Sequence, residues 1–410
     1  MKLGMIGAGF IAKFQTIALS EVRGWEIAGI CSPEGAEQLA DFVKSRELGP
    51  AAIYPSVTEM AENVEVLAIF SPNFTRIAVM EEIRHAVKSG CELKGIICEK
   101  PLGRNYAEAD RMVKLLEETG VPGAYFENQL FMKPLVIQME QLEQVRRAMG
   151  PLSLVRSAEE HGGPHNSWFW DPVKQGGGVL NDMGCHSIAV GWYALTPPEK
   201  SPDFLQPEKV TAEIGLLKWG RPEWREKLLE SHGIDYARTP AEDFATGMIT
   251  YRNPETNQLS KAQFTNSWMF EKQGLRILMD GTGPGYAFEI NTLASPLTVF
   301  IGDVAATAIA DQEMALEKAT SSRGLLTVQP NEADLYGYTD EFKEALQAFR
   351  GGRDGKLPWS YGRDVIRLVM AAYLAAEGGR TLDLTDPRVV REVESYIPIV
   401  ARGEGADILY

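Results

Sequence analysis

Residues 2–12, KLGMIGAGFIA, constrain the fold of this chain more than any other stretch. Lys2–Ile6 is an apolar run of strand length, Gly7-Ala8-Gly9 admits a sharp turn, and Phe10 opens a helical pattern to about Val22. In this G-x-G-x-x-A form Gly7 makes the turn, Gly9 lets the backbone approach a ligand, and Ala12 permits close packing of helix on strand. The amino terminus of such a helix presents N–H donors to an anion, and a strand in front of it makes that anion the pyrophosphate of a dinucleotide. Gly7, Gly9, Phe10 and Ile11 are the residues expected to cradle it.

The schedule of elements that follows supports this reading. A second strand at 25–31 ends in Ser32-Pro33-Glu34, where an acid for the ribose of NAD usually stands. Ser32 would tolerate a 2′-phosphate, no Arg or Lys follows it at once, and Glu34 could reach the ribose, so NAD and NADP both remain open. Apolar strands at 64–70 and 95–98 end in Ser71-Pro72-Asn73 and Glu99-Lys100-Pro101, with helices at 75–89 and 106–118 and a further strand at 124–127. Strands alternating with helices at this spacing predict a doubly wound parallel sheet, whose ligand lies at the carboxyl ends of its strands. Ser32, Ser71, Pro72, Asn73, Glu99, Lys100 and Asn128 occupy such ends and join the candidate cofactor contacts.

After residue 128 the texture changes. A helix at 135–149 leads into strands at 152–158, 209–217, 245–251, 262–269 and 275–280, with little helix between them. That pattern predicts an α+β domain with a large, mostly antiparallel open sheet. Two domains, 1–128 and 129–410, suit a length too great for one ordinary core. The charged, Pro-punctuated stretch 219–240 reads as an insertion, 304–330 as Ala-rich helix of no assigned role, and helices at 339–349 and 361–377 close the fold.

Composition narrows the partners. A net charge of −15 with no basic block argues against nucleic acid and anionic membranes. The cysteines, Cys31, Cys91, Cys98 and Cys185, form no CxxC pair and suit reduced thiols. A strand pattern beginning at Lys2 leaves no room for an apolar leader, and no run approaches a membrane span, so the expected location is the cytoplasm.

The most reactive-looking stretch is Gly176–Ser187, GGGVLNDMGCHS. Three glycines give a sharp turn, and a helix over 180–195 would set Asp182 and His186 four apart on one face. A carboxylate beside an imidazole orients the ring and stabilises its protonated form, which is what a general base requires. A helix-entry Asp and a satisfied core histidine is the plainer alternative. Just upstream, HGGPHNSWFWD places His161, His165 and Trp168 where they would line a polyhydroxylated substrate, while Trp170 suits a core corner equally well. The glycines and proline between His161 and His165 prevent a shared helical face, so no metal is expected.

Together GAGFIA, the SPN at 71–73, EKPL at 99–102 and the D-x-x-x-H element resemble the Gfo/Idh/MocA oxidoreductases (glucose–fructose oxidoreductase, inositol dehydrogenase and relatives) over nearly the whole chain. The resemblance implies a Rossmann domain, a second domain whose open sheet mediates a homodimer or homotetramer, and NAD(P)-dependent chemistry at a secondary hydroxyl of a sugar, glycoside, inositol or related polyol. It makes Lys100, Asp182 and His186 the catalytic group, Lys100 and His186 meeting one substrate hydroxyl. Lys100, His161, His165, Trp168, Asp182 and His186 become the substrate contacts. Three positions depart from the family's habit: Ala189 where Asp is common, Arg76 in place of a His after SPN, and Phe169 in place of an Arg after Trp168. Two rivals share the fold: a glycoside-cleaving enzyme that uses tightly held NAD and transient oxidation, and a sugar-sensing regulator without turnover.

Overall fold

A computed structural model describes residues 1–272, 274–294, 298–301, 324–327 and 331–410. Six short strands form the first sheet: β1 (Lys2–Ile6), β2 (Glu26–Cys31), β3 (Ala52–Ile53), β4 (Val66–Ile69), β5 (Gly95–Glu99) and β6 (Gly123–Phe126). All pair in parallel, in the order β3-β2-β1-β4-β5-β6. Every residue of β4 and β5 is buried, as expected for strands covered on both faces by crossover helices. The order reverses between β1 and β4, and at that switch the turn after β1 lies beside the turn after β4.

The second sheet takes β7 (Leu154–Glu160), β8 (Gln206–Gly215), β9 (Phe244–Arg252), β10 (Leu259–Ser267), β11 (Arg276–Gly283) and β12 (Tyr286–Asn291). A hairpin of β13 (Thr298–Ile301) and β14 (Gly324–Thr327) stands apart, and β15 (Leu382–Asp383) closes the second sheet, ordered β12-β11-β7-β10-β9-β8-β15. Only β7–β10 is a parallel pair among these neighbours. Burial alternates along β7 and most of β10, the signature of a sheet with one covered face. Helix Cys185–Leu195 covers it, so closely that a Cβ on Gly191 would lie 2.7 Å from that of Ala262.

By contacts the chain divides into two compact units, Met1–Lys133 with Ala333–Ile366, and Pro134–Glu332 with Arg367–Tyr410. Helix Tyr338–Arg350 therefore belongs with the first sheet, not with the second domain where the sequence reading put it. The cause is aromatic: Phe342 meets Phe126 edge-on at 5.0 Å, and its carbonyl accepts from Trp25 Nε1 at 3.2 Å.

Three further expectations change. The helix over 135–149 is interrupted at Leu142, giving Lys133–Gln141 and Glu143–Met149. The insertion at 219–240 contains helix Pro222–His232 and folds its aromatics inward. Trp219 and Tyr236 both pack on Trp170, at 4.6 and 6.0 Å, so Trp170 is a core corner. The stretch 304–330 lies outside the described residues except for 324–327, which form a strand, not helix.

Candidate active site

The glycine turn after β1 is shaped for the ligand the sequence proposes. Gly7 sits at φ +100°, and a Cβ there would lie 2.9 Å from the Ser71 backbone nitrogen, so the turns after β1 and β4 touch through bare backbone. At Gly9 a Cβ would meet nothing within 4 Å, leaving open space over the start of helix Phe10–Leu19. That helix has no side-chain cap and no acid in its first turn, so no carboxylate competes with a phosphate for its positive end. These residues fit a dinucleotide.

Ser32, Ser71, Glu99 and Asn128 are each held by side-chain hydrogen bonds. Ser32 Oγ donates to the Glu34 carbonyl at 2.7 Å, in a turn whose Gly35 lies beside Ala8. Ser71 Oγ accepts from Thr75 Oγ1 at 2.9 Å, and Asn73 is buried in the short 3₁₀ turn Asn73–Thr75 that follows Pro72. Asn128 Nδ2 donates to the Tyr336 carbonyl at 2.8 Å. Glu99 is buried, its carboxylate accepting from Gln15 Nε2 at 2.6 Å and from the Lys100 amide at 3.1 Å. The same Gln15 amide reaches Glu341, whose carboxyl is driven well above the carboxylate range by burial and then by the charge of Glu99.

Arg76, noted in sequence only as a departure, turns out to organise this corner. It is buried, and its guanidinium spans the ends of β4 and β5. Nε donates to the Ser71 carbonyl at 3.1 Å, Nη1 to the carbonyls of Glu99 (2.5 Å) and Pro101, and Nη2 to that of Lys100 at 3.1 Å. The planar fork satisfies the backbone carbonyls of Glu99, Lys100 and Pro101 at once, which fixes the main chain that carries Lys100. The Lys100–Pro101 bond is cis.

In the second unit the expected helix begins differently. Leu180–Gly184 is a π-helical turn, and only from Cys185 does the chain become α-helical, to Leu195. A Cβ at Gly184 would lie 2.6 Å from Leu180 Cδ1, so a larger residue there would move that side chain. Such wide turns recur at functional sites. Asp182 and His186 both lie on it or just after it, 3% and 4% exposed. Their neighbours were not legible in the sequence. Asp182 Oδ2 accepts from Trp268 Nε1 at 3.3 Å, and His186 Nε2 stands 4.0 Å from Oε2 of Glu159, a buried residue of β7. Ser187 ties the helix to the sheet: its carbonyl accepts from Ser157 Oγ at 2.7 Å and its hydroxyl from Asn266 Nδ2 at 2.9 Å.

The triple glycine packs against protein. The Glu242 carboxylate accepts from the Gly178 amide through both oxygens (3.0 and 3.1 Å), from the Leu180 amide at 3.1 Å and from Tyr373 Oη at 2.6 Å, while its carbonyl accepts from Val179 N at 3.1 Å. A Cβ on Gly178 would lie 2.2 Å from the Glu242 carbonyl oxygen, and one on Gly177 2.0 Å from the Tyr373 hydroxyl. Burial pushes Glu242 up to about 7 despite these donors.

The substrate candidates upstream divide. His161 is buried with Nδ1 accepting from the Gly163 amide at 3.0 Å, His165 is exposed, and Trp168 stacks on Phe169 at 3.7 Å. Among the described residues no group of three or more His, Cys, Asp or Glu is placed to hold a metal, and no helix is long and apolar enough to cross a membrane.

Comparison with known proteins gives a consistent answer. Residues 1–126 match the family model of the GFO/IDH/MocA oxidoreductases, described as an NAD-binding Rossmann fold, and residues 145–283 match that of the GFO/IDH/MocA C-terminal domain. Glucose-6-phosphate 3-dehydrogenase of Bacillus subtilis is 28% identical over 208 residues, 47% of this chain and 53% of that protein, so the chain spans about half the length of this relative. D-glucoside 3-dehydrogenase of Escherichia coli is 25% identical over 261 residues, 62% of this chain and 67% of its own. Among solved structures, GenD2 from gentamicin A biosynthesis in complex with NAD aligns at TM-score 0.71 and 18% identity, covering 94% of this chain and 96% of that one. A putative myo-inositol dehydrogenase from Sinorhizobium meliloti 1021 aligns at 0.67 and 16% identity, covering 94% and 99%; at such identity these likenesses show the fold. With the open glycine turn of its first sheet and both family models matched in order, the chain belongs to the Gfo/Idh/MocA oxidoreductases and carries their NAD-binding Rossmann domain.

Proposed function

We propose that this chain is a dehydrogenase that oxidises a secondary hydroxyl of a sugar or glycoside with NAD, and that Lys100, Asp182 and His186 carry the chemistry. One observation supports this most: His186 is a buried imidazole on a helix that also carries buried Asp182, with the carboxylate of Glu159 4.0 Å from its Nε2. An imidazole can take the proton of a substrate hydroxyl, and the Glu159 carboxylate beside it can orient the ring. A Lys100 ammonium can stabilise negative charge developing on a substrate oxygen. NAD, when bound, accepts the hydride that leaves the carbon. Glu34 near the glycine turn supports NAD over NADP, since a carboxylate suits ribose hydroxyls and repels a 2′-phosphate.

Two relatives are named for oxidation at the 3-position of a glucose unit, which makes a glucosyl 3-hydroxyl the first substrate to try. The test supplies methyl β-D-glucoside, D-glucose 6-phosphate and myo-inositol with NAD or NADP and follows the absorbance of reduced nicotinamide. Stoichiometric reduction with at least one of them is expected, whereas the glycoside-cleaving rival would release aglycone with no net reduction. Lys100→Met and His186→Ala should each lower kcat by roughly a hundred- to ten-thousand-fold. Near-normal kcat in His186→Ala would remove it from the chemistry. The uncovered face of the second sheet, with Ala158, Met248 and Leu278 half-buried, is the surface a second copy would cover; light scattering should then give a mass above that of a monomer, and a monomeric mass refutes this.

A further inference from the structure

We propose that Glu242 is the positioning residue of the helix that carries Asp182 and His186, and that gain and loss of a proton at its Oε2 loosens and tightens the turn at 176–180. The proposal rests on the reading that Asp182 and His186 act on the substrate. Its own ground is geometric. Glu242 lies just before β9, more than 60 positions along the chain from the turn, yet its carboxylate and carbonyl together take the amides of Gly178, Val179 and Leu180. The π-helical turn starts at Leu180, so the last of these donors is the first residue of the element that holds Asp182. The glycines at 177 and 178 are required by the same contact, because side chains there would occupy the space of the Tyr373 hydroxyl and of Glu242 itself.

The two carboxylate oxygens are not equivalent. Oε1 accepts from Gly178, Leu180 and Tyr373, while Oε2 takes the second arm of the Gly178 amide. A proton therefore goes onto Oε2, displaces that arm, and turns charge-assisted bonds at Oε1 into weaker neutral ones. Deprotonation restores these bonds. The groups around Glu242 leave it to titrate largely alone. Tyr373 and Tyr236 are phenols whose burial and nearby carboxylates keep them neutral. Asp243 spends its carboxylate on the amides of Leu217, Lys218 and Trp219. Glu377, on the helix of Tyr373, accepts from Ile399 and Tyr396. Burial brings the Glu242 carboxyl to about 7, within the range where a small change in pH moves its proton.

The experiment is amide hydrogen exchange of the full chain, read by mass on peptides spanning 176–186, from acid to alkaline of neutrality and corrected for the intrinsic pH dependence of exchange. Local opening frees the amides of the turn while Glu242 stays buried beside Tyr236 and Tyr373. The opened turn, having lost donors that lower the carboxyl, therefore holds the proton more tightly than the closed one, the reverse of global unfolding. Protection should accordingly rise on the order of tenfold with a midpoint near the Glu242 value. Glu242→Gln should abolish the step, because an amide cannot ionise. A wild-type profile without a step, or a step that survives in Glu242→Gln, overturns the proposal. If Glu242→Gln does not fold, Tyr373→Phe decides: its O–H favours the carboxylate, so its loss must move the midpoint to higher pH, and an unmoved midpoint is equally fatal. Turnover of His186→Ala tests the underlying reading separately, since exchange in the wild type does not depend on which residue performs the chemistry.

Discussion

The turn that carries Lys100 and the turn that precedes Asp182 and His186 are held in the same way by groups of opposite charge. In the first unit a buried cation, Arg76, collects backbone carbonyls from the ends of β4 and β5. In the second a buried acid, Glu242, collects backbone amides from the glycine turn. Each lets irregular backbone be buried without orphaned polar groups, which is the general difficulty of placing a reactive residue on a turn. The difference lies in what pH can do. A guanidinium does not titrate in the range where proteins are folded, whereas Glu242 is poised at about 7. One clamp is therefore permanent and the other is adjustable.

The permanent clamp should give the larger effect when broken. Arg76→Met leaves the carbonyls of Ser71, Glu99, Lys100 and Pro101 without their donor in a buried place. Several charge-assisted bonds lost at once should cost about 3–5 kcal/mol of unfolding free energy, measured by urea titration. Arg76→Lys should recover only part of this, because an ammonium cannot reproduce the fork. The loss should be the same at mildly acid and mildly alkaline pH. A loss below about 1 kcal/mol would show that the carbonyls find other partners and would break the comparison on this side.

Neither clamp was legible in the sequence, although most of what they hold was. The strands of the first sheet stand out because each is a short apolar run followed by a turn and a helical period, and G-x-G-x-x-A is a local pattern. Lys100, Asp182 and His186 were reachable because the motifs that contain them are also local. Arg76 reads as one more polar residue at the start of a helix, and nothing local says that it turns inward. Glu242 and Tyr373 meet across 131 positions, and Tyr373 in an apolar helix reads as ordinary core. Glu159 belongs to a strand whose alternation signals burial but not the imidazole opposite. The π-helical start at Leu180 has no period of its own, and the two-residue β3 is too short for any pattern. The insertion at 219–240 misleads because its charges are visible and its inward-facing Trp219 and Tyr236 are not distinguishable from surface aromatics.

The adjustable clamp predicts a smaller effect, but one with a sign. Glu242 moves from an ordinary 4.5 to about 7 on folding, so the folded chain holds this proton more tightly than the unfolded chain. The stability it contributes is complete below about pH 4.5 and is lost as pH rises through about 7. At 1.36 kcal/mol per unit the whole loss is roughly 3 kcal/mol. Asp243 and Glu377, raised mainly by burial, and Glu341, raised by burial and by its acidic neighbours, push stability in the same direction. The slope of the wild type alone therefore does not isolate Glu242. The comparison with Glu242→Gln does, because the other carboxyls are common to both. Unfolding free energies at pH 5 and pH 8 should show the variant gaining on the wild type by up to roughly 3 kcal/mol as pH rises, whatever the variant costs at pH 5. The same pair of measurements on Arg76→Met should give no such change. If the difference between Glu242→Gln and wild type is independent of pH, Glu242 is not protonated in the folded chain at pH 5, and the two clamps differ only in the sign of their charge.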